Sequence, residues 1–213
     1  MKQDKKSPSS FLPKVVLLVL AVGALGFLGW RVWNSRPSDL FQKPVSSAPD
    51  FSFVDRSGRL FSSSELKGKV WVVDFIFAHC AGSCPMLSQK MMSLQADWNA
   101  NPDFKLVTFT VDPERDTVAA LKQYADDYHA NPNQWFFLTG KKADIYQTIR
   151  GGFKEIADRD YEAGPGFEFI HSTRMVLVDG DGKIRGLYDG ENDQDVAKLK
   201  QDIKYLMGTW NHK

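Results

Sequence analysis

Only two cysteines occur in this 213-residue chain, and they lie four positions apart in FAHCAGSCPM, residues 77–86. Cys80 and Cys84 leave three chemistries open: a structural disulfide, a redox couple, or part of a metal site. A disulfide closing so short a loop takes little entropy from the unfolded chain. A chain of this length also buries a sizeable core without such a staple. The structural disulfide is therefore the weakest of the three. A cysteine at a helix amino terminus meets partial positive charge and unpaired N–H groups, which lowers its pKa and favours the thiolate. Pro85 suits the first turn of a helix, where its missing N–H costs little. Residues i and i+4 of a helix hold their Cβ atoms about 5–6 Å apart, whereas disulfides prefer about 3.5–4.5 Å. Cys80 must then sit in the loop and swing toward Cys84, across the small residues Ala81, Gly82 and Ser83.

Two thiolates on one loop also chelate soft metals. Sulfur alone selects Cu(I), and an added imidazole makes Cu(II) and Zn(II) acceptable. The histidines are His79, His129, His171 and His212. His212 lies in the tail. His129 ends a predicted helix over 116–130, where it complements the dipole. His79 adjoins Cys80, but neighbours on a strand point to opposite faces, which makes His79 an edge or core residue. His171, in FEFIHSTRMVL, stands just before a strand expected beside the one that leads to Cys80. It is the candidate third ligand. Of the methionines near the cysteines, Met91 belongs to a buried helical stripe, and Met86 and Met92 read as packing or exposed residues.

The elements that must position these groups follow from periodicity and turn chemistry. Residues 51–54 and 59–61 flank DRSG as a hairpin. KVWVVDFIFA, residues 69–78, is a buried strand by its β-branched and aromatic density. Leu87, Met91, Leu94 and Trp98 mark one face of the next helix. Strand 104–111 follows, then a helix that Asp116 caps, with Val118, Leu121, Ala125 and Tyr128 on one face. Strand 135–139, helix 143–149, a hairpin over 174–190 turning at Gly-Asp-Gly, and a helix from 193 to 207 complete the order. Parallel crossovers closed by an antiparallel hairpin and a last helix give an α/β, thioredoxin-like fold. The cysteines lie at the carboxyl end of the first long strand, where open α/β sheets place their sites. Thioredoxins carry a cis-proline in the loop before the hairpin; this chain has His-Ser-Thr there.

The amino-terminal segment is separate. Val15–Trp30 carries no charge, Lys14 and Arg31 can snorkel, and Trp30 and Trp33 suit an interfacial belt. Residues 1–33 are expected to be a cytoplasmic stub and a single transmembrane anchor, with the membrane engaged by residues 15–33. Lys2, Lys5, Lys6 and Lys14 put the amino end in the cytoplasm. The sequence after the apolar run lacks an A-x-A-like cleavage site. Residues 34–48 read as a polar linker, and residues 49–213 as the folded domain. That places the dithiol in an oxidising compartment, the bacterial periplasm. Formal net charge is +1, which leaves no basic field for nucleic acid.

Taken together, the anchor, KGKVWVVDFIFAHC, the C-x-x-x-C-P motif, VDPERDT with a following LKQY, and the late His-Ser-Thr resemble the SCO/SenC family of copper-binding proteins. The resemblance covers about residues 48–207. Members of that family assemble the CuA site of cytochrome c oxidase, and some reduce the cysteines of the oxidase subunit. The resemblance implies that Cys80, Cys84 and His171 bind copper, as Cu(I) or Cu(II), for a partner that is the copper-site subunit of the oxidase or another copper protein. It does not extend to His79 or Met86. The chain departs from the commonest pattern at Ala81–Ser83, where many members have a Pro-Asp pair, and at Ile170, where aspartate is frequent. The function implied is first that of a metallochaperone, with thiol–disulfide reduction by Cys80 and Cys84 as the alternative. A peroxiredoxin-like peroxidase would carry threonine where Phe77 stands, and a zinc hydrolase lacks a general base.

Overall fold

The computed structural model describes residues 20, 22–27, 44–99, 101–153 and 173–210. The chain divides into two units, Met1–Ser38 and Asp39–Lys213. In the first, residues 20 and 22–27 are helical, and Leu20, Val22, Leu25 and Phe27 are all exposed. Among the described residues no helix is long and apolar enough to cross a membrane; most of the expected anchor lies outside them.

The second unit is built on one eight-stranded sheet. Its strands are β1 (Ser46–Ser47), β2 (Ser52–Asp55), β3 (Leu60–Ser62), β4 (Val70–Ile76), β5 (Phe104–Thr110), β6 (Trp135–Thr139), β7 (Arg174–Val178) and β8 (Lys183–Asp189). Its helices are α1 (Cys84–Asp97), α2 (Val118–Asp127), α3 (Lys142–Gly152) and α4 (Asp193–Trp210), with a 3-10 turn at Ser63–Leu66. The spatial order is β1-β8-β7-β4-β5-β6-β2-β3. β4, β5 and β6 are parallel and every other pairing is antiparallel. Ser46 and Ser47, in the stretch read as linker, pair with Ile184 and Lys183 of β8.

Seven consecutive residues of β4 are buried because both faces of the sheet are covered. Val70, Val72 and Ile76 face a cluster with Leu87 and Met91 of α1, Leu121 and Tyr124 of α2, and Leu199 and Ile203 of α4. Trp71, Val73 and Phe75 face Phe51, Phe61, Phe109 and Ile145 of α3. The helix expected at 143–149 extends over Lys142–Gly152, and the last helix reaches Trp210.

Two local expectations are corrected. Thr117, not Asp116, caps α2, accepting a hydrogen bond from the Ala120 N–H at 3.2 Å. His129 lies beyond α2 rather than in its last turn, with φ at 51°. Its left-handed conformation ends the helical run, so it does not serve as a dipole partner within the helix.

Candidate functional site

β4 delivers its chain to the middle of the sheet and stops at Ile76. Phe77 and Ala78 are half-buried and pack against the core edge. A tight turn follows, closed by the Cys80 N–H donating to the Phe77 carbonyl at 3.1 Å. The Gly82 N–H then donates to Cys80 Sγ at 3.3 Å. Ser83 stands at the cap position of α1 without a side-chain cap, and Cys84 and Pro85 open the helix. Cys80 is half-buried, Cys84 is buried, and both are free thiols. The two side chains interact closely enough for Cys80 to raise the pKa of Cys84. Loop and helix terminus thus meet as the sequence required, with Cys80 turned toward Cys84.

The electrostatics of Cys84 differ from the expectation. Burial pushes its thiol well above the ordinary range, and its hydrogen bond with Cys80 acts in the same direction; a hydrogen bond with the Phe77 backbone opposes both. The positive end of α1 does not outweigh desolvation. Cys84 therefore rests as a protonated thiol. It gives up that proton when a metal ion takes its place, leaving a thiolate ligand, or when it is oxidised to a disulfide.

Asp74 was not singled out from the sequence, yet it lies on the face of β4 that carries Val72 and Ile76. It has no exposure and is charge-coupled to Cys84. The parallel register sets Asp74 beside Thr108, whose hydroxyl donates to Asp74 Oδ1 at 2.6 Å. Trp135 Nε1 donates to the same hydroxyl at 2.8 Å. Asp74 Oδ2 has no hydrogen-bond partner among the described residues. Burial raises this carboxyl to a pKa of about 7, opposed mainly by the Thr108 hydrogen bond. The available signal was one charge inside an otherwise apolar strand.

His79 is not an edge or core residue. It lies in the turn after β4, its side chain 65% exposed, with Nδ1 3.9 Å from Asp116 Oδ1. Strand alternation did not apply, because β4 had already ended. Met91 is fully buried, Met86 is half-buried against the core and Met92 is exposed. Among the described residues, no group of three or more His, Cys, Asp or Glu is arranged to hold a metal ion. His171, with Ile170 and the loop 158–169, lies outside the described residues, as does His212. What is described is where the chain goes next. β7 runs antiparallel to β4, pairing Val176 with Val73, so its first residues lie toward the end of β4 that bears the dithiol. Thr173 is fixed there, donating to Asp189 Oδ1 at 2.9 Å and accepting from the Gly190 N–H at 2.8 Å.

The arrangement is a dithiol at the carboxyl end of a central strand, on a thioredoxin-like sheet. The chain as a whole is similar to known proteins. The SCO1 protein homolog of Bacillus subtilis (strain 168) is 33% identical over 156 residues, covering 72% of this chain and 79% of that protein. A solved SCO1/SenC family lipoprotein from Bacillus anthracis superposes with a TM-score of 0.67 at 30% identity, covering 78% of this chain and 99% of the other. BsSco, described as a member of the Sco family of cytochrome c oxidase assembly proteins with a disulfide switch, superposes at 0.65 with 32% identity, covering 77% and 95%. The SCO1/SenC family pattern itself matches residues 41–208, and this chain belongs to that family.

Proposed function

We propose that this protein is a membrane-anchored copper chaperone that holds copper on Cys80, Cys84 and His171 and delivers it to the CuA site of cytochrome c oxidase. The observation that carries the reading is the meeting of two free, interacting thiols beyond the carboxyl end of β4. Family membership supports it, and so does connectivity. His171 precedes Thr173 by two residues, a reach of at most about 7 Å, and Thr173 belongs to the end of β7 that faces the dithiol.

Copper is the cargo here. Two soft sulfurs suit Cu(I), and the imidazole extends the set to Cu(II). Binding expels the proton that burial holds on Cys84. Release returns it, so the buried thiol favours handing the ion on over keeping it. Three protein ligands leave one side open, where an acceptor's cysteine or histidine can enter by ligand exchange. The apolar run at 15–33 is the anchor. It keeps the domain at the periplasmic face of the inner membrane and raises its effective concentration near a membrane-bound acceptor.

A second reading is favoured by the same pair of free thiols: a thiol–disulfide oxidoreductase that uses Cys80 and Cys84 without carrying metal. Titration of Cu(I) and Cu(II) against a competing chelator separates the two. The parent should bind one equivalent, His171→Ala should lose mainly Cu(II), and Cys84→Ser should lose both. A parent that binds no copper tightly, with full disulfide-reductase activity retained in His171→Ala, would establish the oxidoreductase instead.

A further inference from the structure

Asp116 has no exposure, although it lies in the turn between β5 and α2. Its carboxylate is not used on the helix, because Thr117 supplies the cap. It is used on the neighbouring loop. Asp116 Oδ2 accepts two hydrogen bonds, from Thr110 Oγ1 at 2.5 Å and from the Ala78 N–H at 3.0 Å. Its backbone carbonyl accepts from Thr139 Oγ1 at 3.1 Å, and its own N–H donates to the Asp112 carbonyl at 2.9 Å. The residue is thus fixed to the ends of both β5 and β6. Oδ1 is buried without a hydrogen-bond partner among the described residues, and His79 Nδ1 stands 3.9 Å from it.

Burying a carboxylate with one oxygen unpaired is expensive, and the interactions it makes point toward one place. Ala78 and His79 are the two residues before Cys80. Pinning the Ala78 N–H fixes the chain where it leaves the sheet. The turn bond from the Cys80 N–H to the Phe77 carbonyl then carries that constraint to the backbone of Cys80. Beyond it, Ala81 and Gly82 are exposed, and the Gly82 N–H donates to the Cys80 sulfur at 3.3 Å. Cys84 is held independently by α1.

We infer that Asp116 is a positioning residue for the dithiol, which sets the effective concentration of Cys80 at Cys84 through its hydrogen bond to Ala78. The inference rests on the dithiol being the working site proposed above. It ties the VDPERDT turn, distant in sequence, to the chemistry of the cysteines. Without the carboxylate the Ala78 N–H loses its acceptor. Part of that loss reaches the thiol pair as lost preorganisation.

The test needs no copper. The full-length reduced protein is equilibrated with mixtures of glutathione and glutathione disulfide. The two thiols lose two electrons and two protons and form one S–S bond, while glutathione disulfide takes them up to give two glutathione thiols. The oxidised fraction is read by alkylation and mass spectrometry. Asp116→Ala should lower the equilibrium constant for disulfide formation about tenfold, equivalent to ~30 mV for a two-electron couple. Asp116→Asn, whose side-chain carbonyl still accepts both hydrogen bonds, should stay within about twofold of the parent. Thr110→Val, which removes one donor to the carboxylate and also the acceptor of the Asp112 N–H, should give an intermediate drop in the same direction. If Asp116→Ala does not fold, Thr110→Val decides, and an unchanged constant there overturns the inference. It is equally overturned if Asp116→Ala lowers the melting temperature but leaves the constant unchanged, or if the Asn variant shifts as far as the Ala variant. Failure of the copper reading shows separately, as absence of copper binding in a parent whose redox constant still responds to Asp116.

Discussion

Replacing Asp74 by asparagine should make this protein more stable at pH 8 and less stable at pH 4. Asp74 is completely buried, and its carboxyl is raised from 3.8 to about 7 by desolvation. The native state therefore binds the proton more tightly than the unfolded chain does. The stabilisation that goes with protonation is complete below about pH 4 and is lost as pH rises through about 7. A shift of that size corresponds to about 4 kcal/mol, at 1.36 kcal/mol per pH unit. Asparagine removes the charge and keeps an acceptor for the Thr108 hydroxyl. It also buries N–H groups where Asp74 Oδ2 has no partner among the described residues, at a cost of about 1–3 kcal/mol. The net expectation is a gain of about 2 kcal/mol at pH 8, or about 4–8 °C in Tm for a chain of this size. At pH 4 the comparison is between a neutral acid and an amide, and the variant should lose about 2 kcal/mol. Urea unfolding of parent and variant at several pH values between 4 and 8 measures both ends. A parent whose stability does not fall across that window, or a variant destabilised equally at both ends, would refute the reasoning.

Three further outcomes follow from the geometry. Copper affinity should rise about tenfold per pH unit between pH 6 and 8 from the Cys84 proton alone, because burial keeps that thiol protonated; chelator competition across pH measures the slope, and a flat profile contradicts it. Gly190→Ala should destabilise by about 1–3 kcal/mol, since a Cβ there would lie 2.2 Å from Leu87 Cδ2 and 3.0 Å from the Thr173 carbonyl. Because Leu87 lies in the first turn of α1, that variant should also change the alkylation rates of the cysteines, and unaltered rates would show that the strain is absorbed elsewhere. Thr117→Ala should cost about 1 kcal/mol through the lost cap of α2, measured as a fall in the urea midpoint, whereas an unchanged midpoint would show that the cap contributes nothing.

The fold was legible wherever periodicity reported burial. The run from Val70 to Ile76 and the stripe Leu87, Met91 and Leu94 stand where their patterns put them. What could not be read locally were choices settled by chain distant in sequence. Asp116 and Thr117 are both good caps, and the Ala78 N–H, 38 residues away, decides that the carboxylate turns inward. The position of Cys84 at a helix start predicted an acidic thiol. Packing beside Leu87 and Ile76 reverses that, and no sequence window contains the desolvation. Asp74 was overlooked because a single acid in an apolar strand gives no periodic signal. Its meaning lies in the neighbouring Thr108 and, one strand further, Trp135.

The two ends of the sheet have a consequence of their own. The outermost strands are β1 and β3, of two and three residues, flanking a centre in which β4 and β5 each run for seven. β1 pairs with only two of the seven residues of β8, so it shields that side of the sheet over a short stretch. Pairing with a second chain there would have to displace β1 or pass beyond it.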